Sequence, residues 1–192
     1  MEVAPDSALA HALRAVPRSS FLPADGQDQA GVDAPIGIGA GQTNSQPRTV
    51  VNMLTLLDVR PGQRVLDVGT GSGWTTALIA ELVGPTGRVL GVERIPELTT
   101  FGARNVAALR LDWAEIRQAI PGVLGLPDAG PYDRILVSAE AARVPSQLTD
   151  QLAPSGAMVV PVRGRMLRLT KRRRGLKRET FGHYRFVPLI EN

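Results

Sequence analysis

Two carboxylates flank a run of glycines in this chain: Asp67 stands just before Gly69, Gly71 and Gly73, and Glu93 lies 20 residues beyond the last of them. Glycines in this rhythm permit backbone conformations and close approaches that a Cβ would block. A carboxylate some twenty residues on, closing the next strand, can accept hydrogen bonds from both hydroxyls of a ribose. The chemistry is nucleoside binding. The dinucleotide fingerprint requires a third glycine three residues after the second, and Trp74 stands there instead. Asp67 separates the remaining ligands. A pyrophosphate beside it would be repelled, whereas the ammonium and sulfonium charges of S-adenosylmethionine tolerate a neighbouring acid. The expected donor site is therefore Asp67, Gly69, Thr70, Gly71, Ser72, Gly73, Trp74 and Glu93, with S-adenosylhomocysteine as the spent product.

These residues need a strand to carry them and a helix to receive the turn. Val65, Leu66 and Val68 make the short apolar run of a parallel strand covered on both faces, and the stretch from Trp74 to Leu82 reads as the following helix. Alternation continues with a strand at 88–93, a helix at 97–109 and strands at 113–120 and 134–139. A short helix at 144–152 precedes strand-like segments at 157–162, 166–170 and 179–187 that have no helices between them. The pattern demands an α/β fold of Rossmann-like type, a mostly parallel sheet with helices on both faces that ends in an antiparallel hairpin. Upstream, Ser7 to Val16 has helical spacing with Asp6 or Ser7 to cap it. A loop rich in Gly, Asp, Ala and Pro runs to Gly41, and Ser45 reads as the N-cap of a helix beginning near Pro47.

At 192 residues with 43% apolar composition, the chain fits one domain over 1–192, in which 1–60 forms a helical and loop lid for substrate and 61–192 the core. It has no cysteine, which removes disulfides, thiolate metal sites and thiol nucleophiles and suits a reducing cytoplasm. No stretch approaches the roughly 20 apolar residues that span a bilayer, and the start lacks a signal-peptide pattern. No metal is expected, because His11 and His183 have no second ligand at suitable spacing. The net charge of +4 is concentrated in Lys171 to Arg174 with Lys177 and Arg178. That run reads as a solvated turn, and the scarcity of aromatic residues for stacking bases argues against nucleic acid.

The chain resembles the protein-L-isoaspartate O-methyltransferases almost end to end. The likeness runs through Phe21-Leu-Pro23, Pro35-Ile-Gly37, Gly41-Gln-Thr-Asn-Ser-Gln-Pro47, Val65 to Gly73, Gly91-Val-Glu-Arg94, Pro131-Tyr-Asp133, Val144-Pro145, Gln151-Leu152, Gly156, Val160-Pro-Val162 and the terminal Phe186-Val-Pro-Leu189. The resemblance implies an S-adenosylmethionine-dependent enzyme, acting as a monomer, that methylates the carboxylate of isoaspartyl residues in damaged proteins or peptides. The methyl ester then collapses to succinimide, and repeated cycles restore aspartate. It also implies that Ser45 sits beside the substrate carboxylate, that Thr43 shapes the pocket, and that Asp67 to Gly73 with Glu93 hold the donor. Read from the residues alone, a local N-cap role is the better explanation of Ser45, and the resemblance reverses that preference.

Methyl transfer to an isoaspartyl carboxylate needs no general base, because a carboxyl with a pKa of about 4 is already ionised at neutral pH. Positioning and exclusion of water are the tasks left to the protein, and a serine at a helix start, beside free backbone N–H groups, suits a carboxylate. Four departures from the family pattern bear on substrate choice more than on donor binding. Pro121-Gly122 replaces an Asp-Gly pair near the adenine, with Gly122 retained in the donor site and Gln118 and Asp128 as possible replacement acceptors; Gly31-Val32 replaces an aromatic position; Glu140 enters a small, neutral segment; and Ile190 sits where some members carry threonine. Rival readings are a carboxylate methyltransferase dedicated to one peptide during its maturation, a non-catalytic S-adenosylmethionine-binding relative and, third, an RNA methyltransferase. The last is disfavoured because Ser138-Ala-Glu-Ala-Ala142 is not an Asn/Asp-Pro-Pro-aromatic motif.

Overall fold

The computed structural model describes residues 4–190. Its principal sheet is centred on β3 (Arg64–Val68), with β4 (Arg88–Glu93) and β5 (Ala114–Gln118) on one side and β6 (Tyr132–Val137), β7 (Leu152–Val162), β8 (Arg165–Lys171) and β9 (Leu176–His183) on the other. The strands from β5 to β7 are parallel, and β8 and β9 are each antiparallel to their predecessor. The expected parallel sheet with an antiparallel end is therefore present, as a three-stranded meander of β7, β8 and β9. Strand order reverses at β3, between the crossovers to β4 and β6. In open α/β sheets a ligand crevice forms beyond the carboxyl ends of strands at such a point.

One sheet face is covered by α1 (Ala8–Ala15), α2 (Pro47–Leu57), α3 (Trp74–Val83) and α4 (Pro96–Ala107), whose apolar residues share one cluster with Val65, Val89, Leu136 and Val159. Helix α3 is buried nearly all round because α1 packs on its outer side. An apolar helix needs such cover. The opposite face departs from the expected helical layer. The five-residue α5 (Ser146–Asp150) and the irregular stretch carrying Leu124 and Leu126 pack there on Leu66, Ile135 and Val137. Tyr132 is wholly buried in this layer, its hydroxyl donating to the Leu126 carbonyl at 2.8 Å, and burial pushes its pKa to about 12.

The stretch expected as a long loop up to Gly41 contains two 3-10 turns (Arg18–Phe21 and Ala24–Gln29) and a hairpin of β1 (Ile36–Gly39) and β2 (Gln42–Asn44). Its two turn residues, Ala40 and Gly41, have φ of 50° and 70°. Positive φ at both positions is the two-residue turn that matches strand twist. At the other end of the chain, β9 stops at His183, and the last described residues leave the sheet to run beside Glu140. Pro188 supplies no N–H for a ladder, which disfavours continuation as a strand.

Candidate active site

A crevice of about 860 Å³ opens at the carboxyl ends of β3, β4 and β6, within the usual range of about 300–1,000 Å³ for small-molecule sites. Its floor is Val68, Gly69, Gly71 and Val92; one wall is Glu93 to Pro96 with Gln118 to Pro121; Ser138 and Ala139 form the other, Val187 to Ile190 cover it, and Gln42 and Thr43 stand at the mouth. Of the sequence-predicted residues, Gly69, Gly71, Glu93 and Thr43 line it directly.

Glu93 is almost fully buried. Its Oε1 accepts from the backbone N–H groups of Arg94 (2.8 Å) and Ile95 (3.0 Å), and its Oε2 accepts from the N–H of Gly71 (3.0 Å). A carboxylate has about four acceptor positions. Three are filled, so one position, on Oε2, remains for a ribose hydroxyl. The same bond from Gly71 fixes the glycine loop against the end of β4, so Glu93 shapes the loop as well as lining the crevice.

Asp67 lies beneath the loop rather than in it. It is completely buried, and the hydroxyls of Thr75 and Thr76 donate to its Oδ2 at 2.6 and 2.7 Å while Oδ1 has no partner. Burial, opposed by the two threonine hydroxyls and helped by nearby Glu93, raises its pKa to about 6. Expected to face the donor electrostatically, Asp67 makes contacts that tie β3 to the first turn of α3.

The other loop residues divide. Thr70 is buried with its hydroxyl unpartnered, and Ser72 accepts from Asn44 Nδ2 at 3.0 Å. Gly73 has φ +87°, and a Cβ there would meet the Gly102 carbonyl oxygen, Ile116 and Val106 at 3.0 Å, so its glycine serves helix packing. Trp74, expected as a donor contact, turns away from the crevice: its Nε1 donates to the Val16 carbonyl at 3.1 Å. Gly122, with φ +76°, lies between crevice residues Pro121 and Val123 without lining the cavity itself.

Ser45 is half-buried two residues beyond Thr43, and its hydroxyl has no protein partner among the described residues. It is not the N-cap of α2; Gln46 is, without a side-chain cap bond. The first turn is capped from outside, where Asp33 Oδ1 accepts from the Arg48 N–H at 3.0 Å and Gln46 Nε2 donates to the Asp33 carbonyl at 2.9 Å. That Arg48 N–H bond, joined by side-chain hydrogen bonds from Gln46 and Arg48 and by the Arg48 charge, holds the Asp33 pKa down against the contrary effect of burial. With Pro47 lacking an N–H and Arg48 engaged, the helix start presents fewer free donors than expected.

One contributor, Ser138, was not singled out as a site residue by sequence reasoning. The Ser138 hydroxyl is buried in the crevice wall without a partner. The segment 187–190 is pinned across the crevice by Glu140, whose N–H donates to the Val187 carbonyl and whose carbonyl accepts from Leu189, both at 2.8 Å. The Glu140 carboxylate accepts from the Gly164 N–H at 3.1 Å, which gives this family departure a bracing role. Beside the other departure, Gln118 Nε2 donates to the Arg94 carbonyl and its Oε1 accepts from Thr99, while Asp128 lies outside the crevice. Gln118 lines the crevice with a second acceptor position on Oε1 unfilled, and Ile120 and Pro121 make the adjoining wall apolar. The basic run sits at the opposite end of the sheet, because β8 runs antiparallel to β7; Lys171 Nζ donates to the carbonyls of Thr149, Asp150 and Leu152, and Arg172 to Arg174 are exposed. Among the described residues no cluster of His, Cys, Asp or Glu suits a metal, and no helix is long and apolar enough to cross a membrane.

The residues fit S-adenosylmethionine: an open glycine cradle at Gly69, a free acceptor position on Glu93, and an unpartnered hydroxyl at Ser138, all at the reversal of strand order. Fold and crevice define an S-adenosylmethionine-dependent methyltransferase of the α/β type. The profile of protein-L-isoaspartate(D-aspartate) O-methyltransferase (PCMT) matches residues 2–192. The chain is 46% identical over 187 residues to the protein-L-isoaspartate O-methyltransferase of Methanopyrus kandleri, covering 95% of this chain and 83% of that one. It is 42% identical over 181 residues to protein-L-isoaspartate O-methyltransferase 1 of Archaeoglobus fulgidus, covering 93% and 83%. A Plasmodium falciparum crystal structure described as this enzyme in complex with S-adenosyl-L-homocysteine superposes with a TM-score of 0.84 at 25% identity, over 98% of this chain and 93% of that one. The chain belongs to the protein-L-isoaspartate(D-aspartate) O-methyltransferase family.

Proposed function

We propose that this protein methylates the free carboxylate of L-isoaspartyl residues in damaged proteins or peptides, with S-adenosylmethionine as donor. The observation that carries the reading is the joining of a nucleoside crevice to the Thr43–Ser45 segment at its mouth, in a chain of this family. Gly69, Gly71 and Glu93 would hold the donor, with the adenine against Ile95, Ile120 and Pro121 near Gly122. Asp67, Ser72, Gly73 and Trp74 support the loop from behind. When bound, S-adenosylmethionine supplies a methyl group activated by its sulfonium charge.

The chain's own residues supply position and dryness. The Ser45 hydroxyl, free of other partners, donates to the substrate carboxylate, and Thr43 bounds the approach. No proton has to be removed from a carboxylate already ionised. Alignment within a fraction of an ångström is then the main source of rate, because positioning supplies up to about 7–11 kcal/mol of such barriers. The cover formed by 187–190 excludes water, which favours a step in which opposite charges cancel. Residues 1–60 act as the substrate-side lid of one domain, and a single chain builds the whole crevice, so a monomer suffices. The cytoplasm, where cysteine-free chains are at no disadvantage, is the expected place of action.

Ser45→Ala tests the assignment. A lost hydrogen bond to a charged group costs about 1.5–3 kcal/mol, so kcat/KM on an isoaspartyl peptide should fall roughly 10- to 150-fold, with affinity for S-adenosylhomocysteine unchanged. Undiminished turnover would refute the role of Ser45.

A further inference from the structure

Arg18 is a guanidinium only 6% exposed, with no carboxylate in ion-pair contact among the described residues. Its Nε donates to Asn44 Oδ1 at 2.8 Å; Nη1 donates to the carbonyls of Ala30 (3.3 Å) and Val32 (2.9 Å); and Nη2 donates to those of Ala34 (2.8 Å), Asn44 (3.2 Å) and Ser45 (3.0 Å). Its carbon centre lies 5.6 Å from the ring centroid of Trp74. Burial lowers its pKa and Asp33 opposes that shift. A buried charge satisfied almost wholly by main-chain carbonyls is costly to assemble and gains its stability from directed bonds. Three of those carbonyls come from alternate residues of the 30–34 loop and two from the segment carrying Ser45, so one side chain fastens both to a common point.

That point is also joined to the donor loop. Asn44, which accepts from Arg18, donates through Nδ2 to Ser72 Oγ at 3.0 Å, and the ring beneath Arg18 belongs to the first residue of α3. The glycine loop, the segment before Ser45 and the 30–34 loop thus meet at one fork of five donors, a geometry a lysine cannot reproduce.

We infer that Arg18 is the positioning residue that holds the Ser45 segment and the 30–34 loop in fixed register with the donor loop, so that occupation of the donor site orders the acceptor side. The inference rests on the proposed carboxyl methylation for its catalytic consequence, but not for the coupling itself. Arg18 touches neither ligand directly in this account; it acts through Asn44, Ser45 and Trp74.

The test is amide hydrogen exchange of the full chain with and without S-adenosylhomocysteine, on wild type, Arg18→Lys and Asn44→Ala. Asn44→Ala keeps the buried charge and its bonds to main-chain carbonyls, and removes the side-chain bridge by which Arg18 Nε reaches Ser72 through Asn44. In wild type the ligand should slow exchange across 69–73 and also across 30–34 and 42–46. In both variants the slowing should persist at 69–73 and be lost from the two acceptor segments, with affinity for S-adenosylhomocysteine changed by less than roughly threefold. On isoaspartyl peptide, kcat of the folded variants should fall on the order of 100-fold, the expected cost of about 1 Å of misplacement. Unaltered protection at 30–34 and 42–46 in Asn44→Ala, or a loss of protection at 69–73 equal to that elsewhere, would overturn the inference. A wild type that shows the exchange pattern yet never methylates the peptide would refute the proposed function while leaving the coupling established.

Discussion

Replacing Asp67 with asparagine should remove a pH dependence of stability that this carboxylate imposes on the protein. Asp67 is wholly buried under the glycine loop, with two threonine hydroxyls on Oδ2 and none on Oδ1. Burial raises its pKa from 3.8 to about 6 in the folded state. Between those values the unfolded chain has released the proton and the folded chain retains it, so stability falls as pH rises and is fully present only below the unfolded value. At about 1.36 kcal/mol per pH unit, the loss across this window amounts to about 3 kcal/mol by pH 7. That is a large fraction of a typical total stability of about 5–15 kcal/mol. Asparagine keeps an acceptor for the threonines and cannot ionise. Urea unfolding of both proteins at pH 4 and pH 7 should show the difference, Asp67→Asn minus wild type, moving by about 2 kcal/mol in favour of the variant as pH rises, because part of the loss has already occurred by pH 4. Parallel profiles over that range would refute the buried-charge argument.

Two further outcomes follow from the crevice. Glu93→Gln replaces a carboxylate that accepts three backbone N–H groups, including that of Gly71; at about 1.5–3 kcal/mol for a bond to a charged group, calorimetry should show S-adenosylhomocysteine bound at least about tenfold more weakly. Pro121→Asp places an acceptor on an apolar wall where Gln118 is already engaged; one added hydrogen bond of about 1 kcal/mol should tighten the same ligand about fivefold, and no change would show that the adenine lies elsewhere.

The core of the fold could be read from local pattern because its signals are local. The run from Arg64 to Gly73 carries its strand, turn and helix start within ten residues, and the next strand ends in Glu93 for the same reason. Features set by distant contacts were not legible. The apolar spacing of Ser7 to Val16 correctly indicated α1, whose N-cap is Ser7, yet nothing local told that Arg18 would reach residues 12 to 27 positions away. Ser45 looked like an N-cap because serine favours that place, but Asp33 arrives from a separate loop to do the capping. The hairpin at 36–44 escaped notice because glycines occupy alternate positions where strand formers would have marked it. Trp74 begins α3 as expected, but its orientation is decided by the Val16 carbonyl, which sequence spacing does not reveal.

The most direct measurement is transfer of labelled methyl from S-adenosylmethionine to two peptides of identical sequence, one containing L-isoaspartate and the other L-aspartate. Base-labile methyl ester on the isoaspartyl peptide and essentially none on its isomer is the outcome that isoaspartyl methylation requires. Equal labelling of both, or labelling of neither by a protein that binds the donor, would contradict it.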